Sequence, residues 1–178
     1  ARLVRDADEK PVYILGVEHD VTVRRRNEEN LLLQSTALEA ASNGIVITDL
    51  EGNILWVNQA FTRLTGYSAD EAIHQNPRLL RSGLHSPEFY QDMWQSILSG
   101  REWHGRVVNR RKDGSLYTEE MSITPVLTRP QDGEKPQITH FIAIKQDVTD
   151  REQNEKRQEA IASIASALRS ATGREEII

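Results

Sequence analysis

The chain of 178 residues contains no cysteine. Disulfides, thiolate zinc sites, thioether-attached haem and a cysteine nucleophile are therefore excluded on chemical grounds. Long apolar runs are also missing. None approaches the roughly 18 residues of a spanning helix, and Ala1 opens no signal-peptide pattern, so a cytoplasmic segment cut from a longer chain is expected. Neither charge sign dominates. The 27 acidic and 22 basic residues are interspersed and leave a net charge of −5, which gives neither a nucleic-acid footprint nor a polybasic membrane patch. Histidines number five, at 19, 74, 85, 104 and 140, without metal-ligand spacing such as HExxH, and no glycine-rich loop is present to cradle phosphate. An enzyme is not expected. With 38% hydrophobic and 6% aromatic residues, the composition suits one modest core with appendages.

The most informative stretch is Gly44–Tyr67. Two short apolar runs, Ile45–Thr48 and Ile54–Val57, flank Glu51, Gly52 and Asn53 and predict a tight β-hairpin. A helix follows. Asn58 stands at its N-cap, Ala60, Phe61 and Leu64 supply an apolar face, and Gly66 stops it. The sequence ITDLEGNILWVNQAFTRLTGY resembles the opening of a PAS domain, a small sensory module of bacterial signalling proteins. The resemblance spans roughly Leu38–Arg151. It implies an α+β fold, a five-stranded antiparallel sheet carrying short helices on one face and flanked by N- and C-terminal connector helices. Cysteinyl-flavin photochemistry of the LOV type is excluded, because NPRLL at 76–80 offers no thiol.

The remaining punctuation agrees with that order of elements. Ser68 and Glu71 have capping-box spacing, and Ser86-Pro87-Glu88 opens a helix presenting Phe89 or Tyr90, Met93 or Trp94, Ile97 and Leu98 before Gly100. From Trp103 the period becomes strand-like. Two strands flank Lys112-Asp113-Gly114, and a looser turn at 129–136 leads to a last strand over 137–147. Phe141–Ile144 are continuously apolar, so this strand is expected to be covered on both faces, one cover being a flanking helix or a second subunit. A homodimer is the expected partner. Thr149-Asp-Arg-Glu152 again has capping-box spacing, and Ile161, Ile164, Leu168 and Ala171 recur at three, four and three beyond it, a two-helix seam if continued.

An internal repeat sets the domain boundaries. Residues 13–24, YILGVEHDVTVR, and 140–151, HFIAIKQDVTDR, lie 127 positions apart and share Asp-Val-Thr before a charged helical stretch. Tandem domains are expected rather than a solenoid. Residues 1–22 would be the terminal strands of an upstream PAS domain, 23–43 a connector helix with Leu31, Leu38 and Ala41 on one face, 44–149 the PAS domain, and 150–178 a signalling helix. The ending IASIASALRSATGREEII resembles the opening helix of a GAF domain, so adjacent PAS and GAF or transmitter domains are implied in cis.

Trp94 and Asn109 are the candidate binding residues. Helical placement turns Trp94 toward the sheet, and strand alternation puts Val107 and Asn109 on one face. A buried amide needs partners, which a ring with polar edges stacked on the indole could supply. The segments YQDMW and VVNRRKDGSLY are similar to FAD-binding PAS domains of redox-sensing regulators, in which a Trp and an Asn at these positions contact the flavin. The resemblance makes FAD a candidate while the cofactor stays open, because that subgroup has polar side chains where this chain has Val46 and Pro77; the alternative is that Trp94 is core and Asn109 caps a strand edge or bonds backbone. Haem is disfavoured, because His85 falls outside the helix that would present it. The resulting expectation is a non-catalytic sensory and dimerisation module of a histidine kinase or cyclic-dinucleotide enzyme. The alternative is a ligand-free PAS spacer.

Overall fold

The Asn58 side chain is buried to 1% exposure and fully committed. Its Oδ1 accepts from the Phe61 amide at 3.0 Å, as an N-cap should, and also from the Ile45 amide at 2.8 Å. Its Nδ2 donates to the carbonyls of Leu38 at 3.1 Å and Asn43 at 3.0 Å. One amide thereby ties a helix start, a strand start and the preceding helix end together.

The computed structural model describes residues 2–5, 8, 11–15, 22–128 and 135–172. They fall into two compact units, Ala1–Ala37 and Leu38–Ile178. The first holds β1 (Arg2–Arg5) and β2 (Pro11–Leu15), an antiparallel pair with Arg2 opposite Leu15, and most of α1 (Thr22–Ala40). Of the repeated Asp-Val-Thr, Asp20 and Val21 lie outside the described residues, as do the turn residues 129–134 and the GREEII ending.

In the second unit β3 (Gly44–Thr48) and β4 (Ile54–Val57) form the expected hairpin. The helices α2 (Gln59–Thr65) and α3 (Ala69–Ala72), a 3-10 turn at Pro77–Leu80 and α4 (Pro87–Leu98) then cross one face. Each begins where its capping residue dictates. Ser68 and Glu71 form the reciprocal capping box, and the Ser86 hydroxyl accepts from the Phe89 amide at 3.4 Å with Pro87 at the first turn. The chain returns through β5 (Trp103–Arg110), β6 (Leu116–Leu127) and β7 (Ile138–Asp147) before α5 (Thr149–Thr172). Strand order is β4-β3-β7-β6-β5, all antiparallel, so the first and last strands meet at the centre, Val46 opposite Ala143.

Two apolar clusters fill the space between helices and sheet. Ile54, Phe61 and Leu80 anchor one, and Met93, Ile97, Val107 and Phe141 the other. At roughly 2 kcal/mol for each fully buried large apolar side chain, these contacts are the main reason the short helices stay on the sheet. The opposite face is only partly covered. Phe141 is buried, but Ile142 is half-buried and Ile144 is 41% exposed, so among the described residues β7 is closed on one side and open on the other.

The start of α5 differs from its sequence reading. Thr149 and Glu152 form no capping box; Thr149 instead turns its hydroxyl to β6, accepting from the Thr118 amide at 2.9 Å, while Asp147 Oδ1 accepts from the Thr149 amide at 2.9 Å. The Glu152 side chain pairs with Arg106. A neighbouring strand edge offered Thr149 a donor closer than its own helix did, which sequence spacing alone does not reveal.

Candidate functional site

Helix α4 and the inner face of the sheet enclose a cavity of about 100 Å³. At i, i+3, i+4 and i+7 of α4, Tyr90, Met93, Trp94 and Ile97 turn toward the strands and all four line it. Phe141 meets Trp94 edge to face, with ring centroids 5.9 Å apart and planes at 87°. From β5, Asn109 reaches the same space. The two residues singled out by sequence are therefore brought together on one cavity. Val46 and Pro77, where the flavin-binding pattern has polar groups, line it as well.

Gly52 closes one rim. Its φ of +82° is left-handed backbone, and a Cβ there would stand 3.1 Å from the Trp94 ring and 2.9 Å from Asn76 Nδ2. Any other residue at this turn would push on the indole.

Sequence reasoning passed over the charged groups of the site: Arg78, Arg81 and Lys145 line the cavity, and Glu119 stands behind Lys145. Lys145 lines the cavity, and its Nζ donates to Glu119 Oε1 at 2.6 Å and to Met121 Sδ at 3.2 Å. Asn109 Nδ2 donates to the same Glu119 oxygen at 3.0 Å. Both charges are buried, at 0% exposure for Glu119 and 3% for Lys145. The sequence did hold the information: strand alternation from Tyr117 and Met121 puts Glu119 on the inner face, and alternation from Phe141 and Ala143 does the same for Lys145. That the two inward charges meet follows from the pairing of β6 with β7, with Met121 opposite Lys145.

The phenols nearby feel this carboxylate. Burial, and then the negative charge of Glu119, push the Tyr117 hydroxyl up, with Arg111 above the ring opposing the shift. Tyr90 is also raised by burial, opposed by Arg81, which lies 3.9 Å from its ring centroid. Among the described residues the Tyr90 hydroxyl is buried without a hydrogen-bond partner, and the Tyr117 hydroxyl and Glu119 Oε2, which interact, make no hydrogen bond of ordinary geometry. His85 is engaged elsewhere, its Nε2 accepting from the Val108 amide at 2.7 Å while its ring stacks on Phe89. Among the described residues no three His, Cys, Asp or Glu side chains are grouped to hold a metal ion, and no helix is long and apolar enough to cross a membrane.

Residues 33–148 match the family model of the PAS fold. The chain belongs to the PAS family. Its PAS domain is 45% identical over 114 residues to a nitrogen fixation regulatory protein of Klebsiella oxytoca, a match covering 64% of this chain and 22% of that one. It is 30% identical over 120 residues to blue-light-activated histidine kinase 1 of Erythrobacter litoralis, covering 67% and 32%. The chain thus spans a third or less of these curated relatives. Among solved structures, a PAS domain from Colwellia psychrerythraea superposes with a TM-score of 0.56 at 27% identity, covering 68% of this chain and 98% of that one. An RNA-binding light-oxygen-voltage receptor gives 0.64 at 26% identity, covering 88% and 43%. PAS domains are sensory modules, and the relatives here are signalling proteins.

Proposed function

We propose that this PAS domain binds a planar ring ligand, FAD being the candidate, between Trp94 and the sheet, and reports its state to an output domain through β7 and α5. The observation that carries this reading is the cavity itself: an indole, a phenylalanine and aliphatic walls beside Asn109, Lys145 and an orphaned buried phenol. Flat apolar surfaces with a few convergent polar atoms suit a heteroaromatic ring better than a sugar or a peptide. When bound, a flavin supplies reversible two-electron reduction. Trp94 would carry its ring face and Asn109 would bond its polar edge. The orphaned Tyr90 hydroxyl fits such an occupant, because a buried phenol without a partner costs free energy that a ligand acceptor would recover.

The route outward consists of this chain's own contacts. Two residues beyond Lys145 on β7, Asp147 accepts from Arg111 Nη2 at 2.7 Å through one oxygen and from the Thr149 amide through the other. Arg111 also donates to the Leu64 carbonyl and covers the Tyr117 ring. A displacement of Lys145 along β7 is therefore felt at the first turn of α5. Two arrangements of that junction, biased differently by an empty and a filled cavity, are sufficient for signalling.

Further parts of the proposal concern assembly. Pro11 and Ile138, which open β2 and β7, and Thr22 and Thr149, which open α1 and α5, lie 127 positions apart, as do the repeated sequences. This supports reading residues 1–22 as the terminal strands of an upstream PAS domain and 150–178 as the link toward a GAF or transmitter domain of a histidine kinase or cyclic-dinucleotide enzyme. Homodimerisation through the open sheet face and the α5 seam is favoured by the exposed Ile144, Ile161 and Ile164.

A visible absorption spectrum of the purified protein tests the ligand. Flavin bands that disappear in Trp94→Ala, with the fold retained, support the sensor. A colourless protein that takes up no added FAD favours the ligand-free spacer.

A further inference from the structure

With the ring-binding reading above as premise, the size and charge of the cavity select which ring it takes. Its volume of about 100 Å³ is of the order of the roughly 150 Å³ apolar cavity that takes up benzene. It is well below the roughly 300 Å³ at which pockets for larger organic ligands begin. One ring fits this space, whereas three fused rings would have to push α4 away from the sheet.

Charge narrows the choice further. Although the chain carries a net charge of −5, its cavity is lined by Arg78, Arg81 and Lys145 and, among the described residues, by no aspartate or glutamate. Lys145 is answered by Glu119 behind it, at 2.6 Å. Among the described residues neither arginine is in an ion pair. Both arginines are exposed and so stand at the mouth, while the walls behind them are apolar, Met93, Trp94, Ile97 and Phe141 among them. An apolar pocket with an unanswered positive rim suits a molecule with an apolar body and an anionic head.

The donors for that head are neighbours. Arg81 Cζ lies over the Tyr90 ring, 3.9 Å from its centroid, and a guanidinium stacked on a ring keeps its N–H groups for other acceptors. The hydroxyl of the same tyrosine is buried and unpartnered among the described residues. Burial raises it above the ordinary phenol range, so it remains a donor at neutral pH. The two oxygens of one planar carboxylate can accept from both groups. We propose that the cavity is a site for a compact aromatic acid, a single ring bearing one carboxylate. The ring lies against Trp94 and Phe141, and the carboxylate sits at the mouth, accepting from Arg81 and Tyr90 with Arg78 adding its charge. A neutral ring of the same shape forfeits the charge-assisted bonds, which makes the site selective for the acid.

The test is titration of the 178-residue protein with benzoate, phenylacetate and the neutral benzamide, followed by amide and indole N–H shifts in two-dimensional NMR. At least one of the two acids is expected to saturate, to move the Trp94 indole signal and to bind at least about tenfold more tightly than benzamide, the scale of a hydrogen bond to a charged group. Arg81→Gln and Tyr90→Phe should each weaken that acid about tenfold and leave benzamide nearly unchanged. No binding of either acid, benzamide bound as tightly, or acid affinity unchanged in either variant overturns the proposal. Should a variant fail to fold, the ratio of acid to benzamide affinity in the native protein decides. Added FAD separates this outcome from the flavin reading. FAD uptake with neither acid bound overturns the aromatic acid and leaves the flavin, uptake of none of them overturns both, and acid binding without FAD uptake supports the single ring and removes FAD.

Discussion

Thr149, the first residue of α5, accepts a hydrogen bond from the backbone amide of Thr118 near the start of β6, at 2.9 Å. Its neighbour Val148, 3% exposed, donates from its own amide to the Thr118 carbonyl at the same distance. The helix therefore begins as a continuation of the β6–β7 ladder. Thr149→Val, which keeps the shape but removes the acceptor, leaves the Thr118 amide unpaired and is expected to cost about 1–2 kcal/mol. Faster hydrogen exchange in the first turn of α5, with protection of β3 and β7 unchanged, would be the signature. Loss of protection throughout the domain would contradict it.

Asp147 makes the same junction sensitive to acid. Burial pulls its carboxyl up, but the Thr149 and Arg111 hydrogen bonds outweigh this and hold it below the usual value of 3.8. A carboxylate whose folded value is depressed contributes stability that is fully present above the unfolded value and is lost as pH falls through the folded one. The start of α5 is expected to loosen as pH drops below about 4, read as backbone exchange at residues 149–153. In Asp147→Asn this pH dependence should vanish, and its persistence would assign the effect to another group.

The fold was legible because local chemistry and global arrangement agree. Asn58, Ser68 and Ser86 each stand where an orphan helix N–H needs an acceptor, and the strand periods on either side of Asp113-Gly114 leave one register that puts Val107, Asn109, Tyr117 and Met121 inside. Trp94 and Asn109 were legible for the same reason, since each follows from one element's period. Contacts between elements were not. The pairing of Glu119 with Lys145 needs strands 26 residues apart in sequence to be placed side by side, and the choice of Thr149 for Thr118 over Glu152 spans 31. Asn58 shows the limit within one residue: its capping role is a local pattern, while its bonds to Ile45, Leu38 and Asn43 are tertiary.

Removing one member of the internal charge pair should be costly even if the pair itself adds little. Lys145→Met leaves the Glu119 carboxylate, at 0% exposure, without a cation beside it, though still bonded by Asn109. A loss of roughly 3–5 kcal/mol is expected from an uncompensated buried charge. The double variant Glu119→Leu with Lys145→Met should recover most of it. Urea denaturation of the two single variants and the double one forms the cycle, and additive losses would show that the two side chains act independently.

The last expectation concerns the helix as a lever. Ile161 and Ile164 are 59% and 61% exposed on α5 and lie three residues apart, so in a dimer they would face the partner's equivalent residues from one stripe. Because Val148 and Thr149 fix where the helix starts, that stripe has a set direction relative to the sheet. One alanine inserted after Thr149 turns everything beyond it by about 100° and lifts it about 1.5 Å. Four residues turn it by about 400°, close to a full revolution, and restore the facing side. In the full-length protein a one-residue insertion is accordingly expected to change or abolish the response, and a four-residue insertion to restore much of it. Output that falls equally with both would mean that distance or flexibility, rather than helical phase, carries the message. Output unaffected by either would remove α5 from the path altogether.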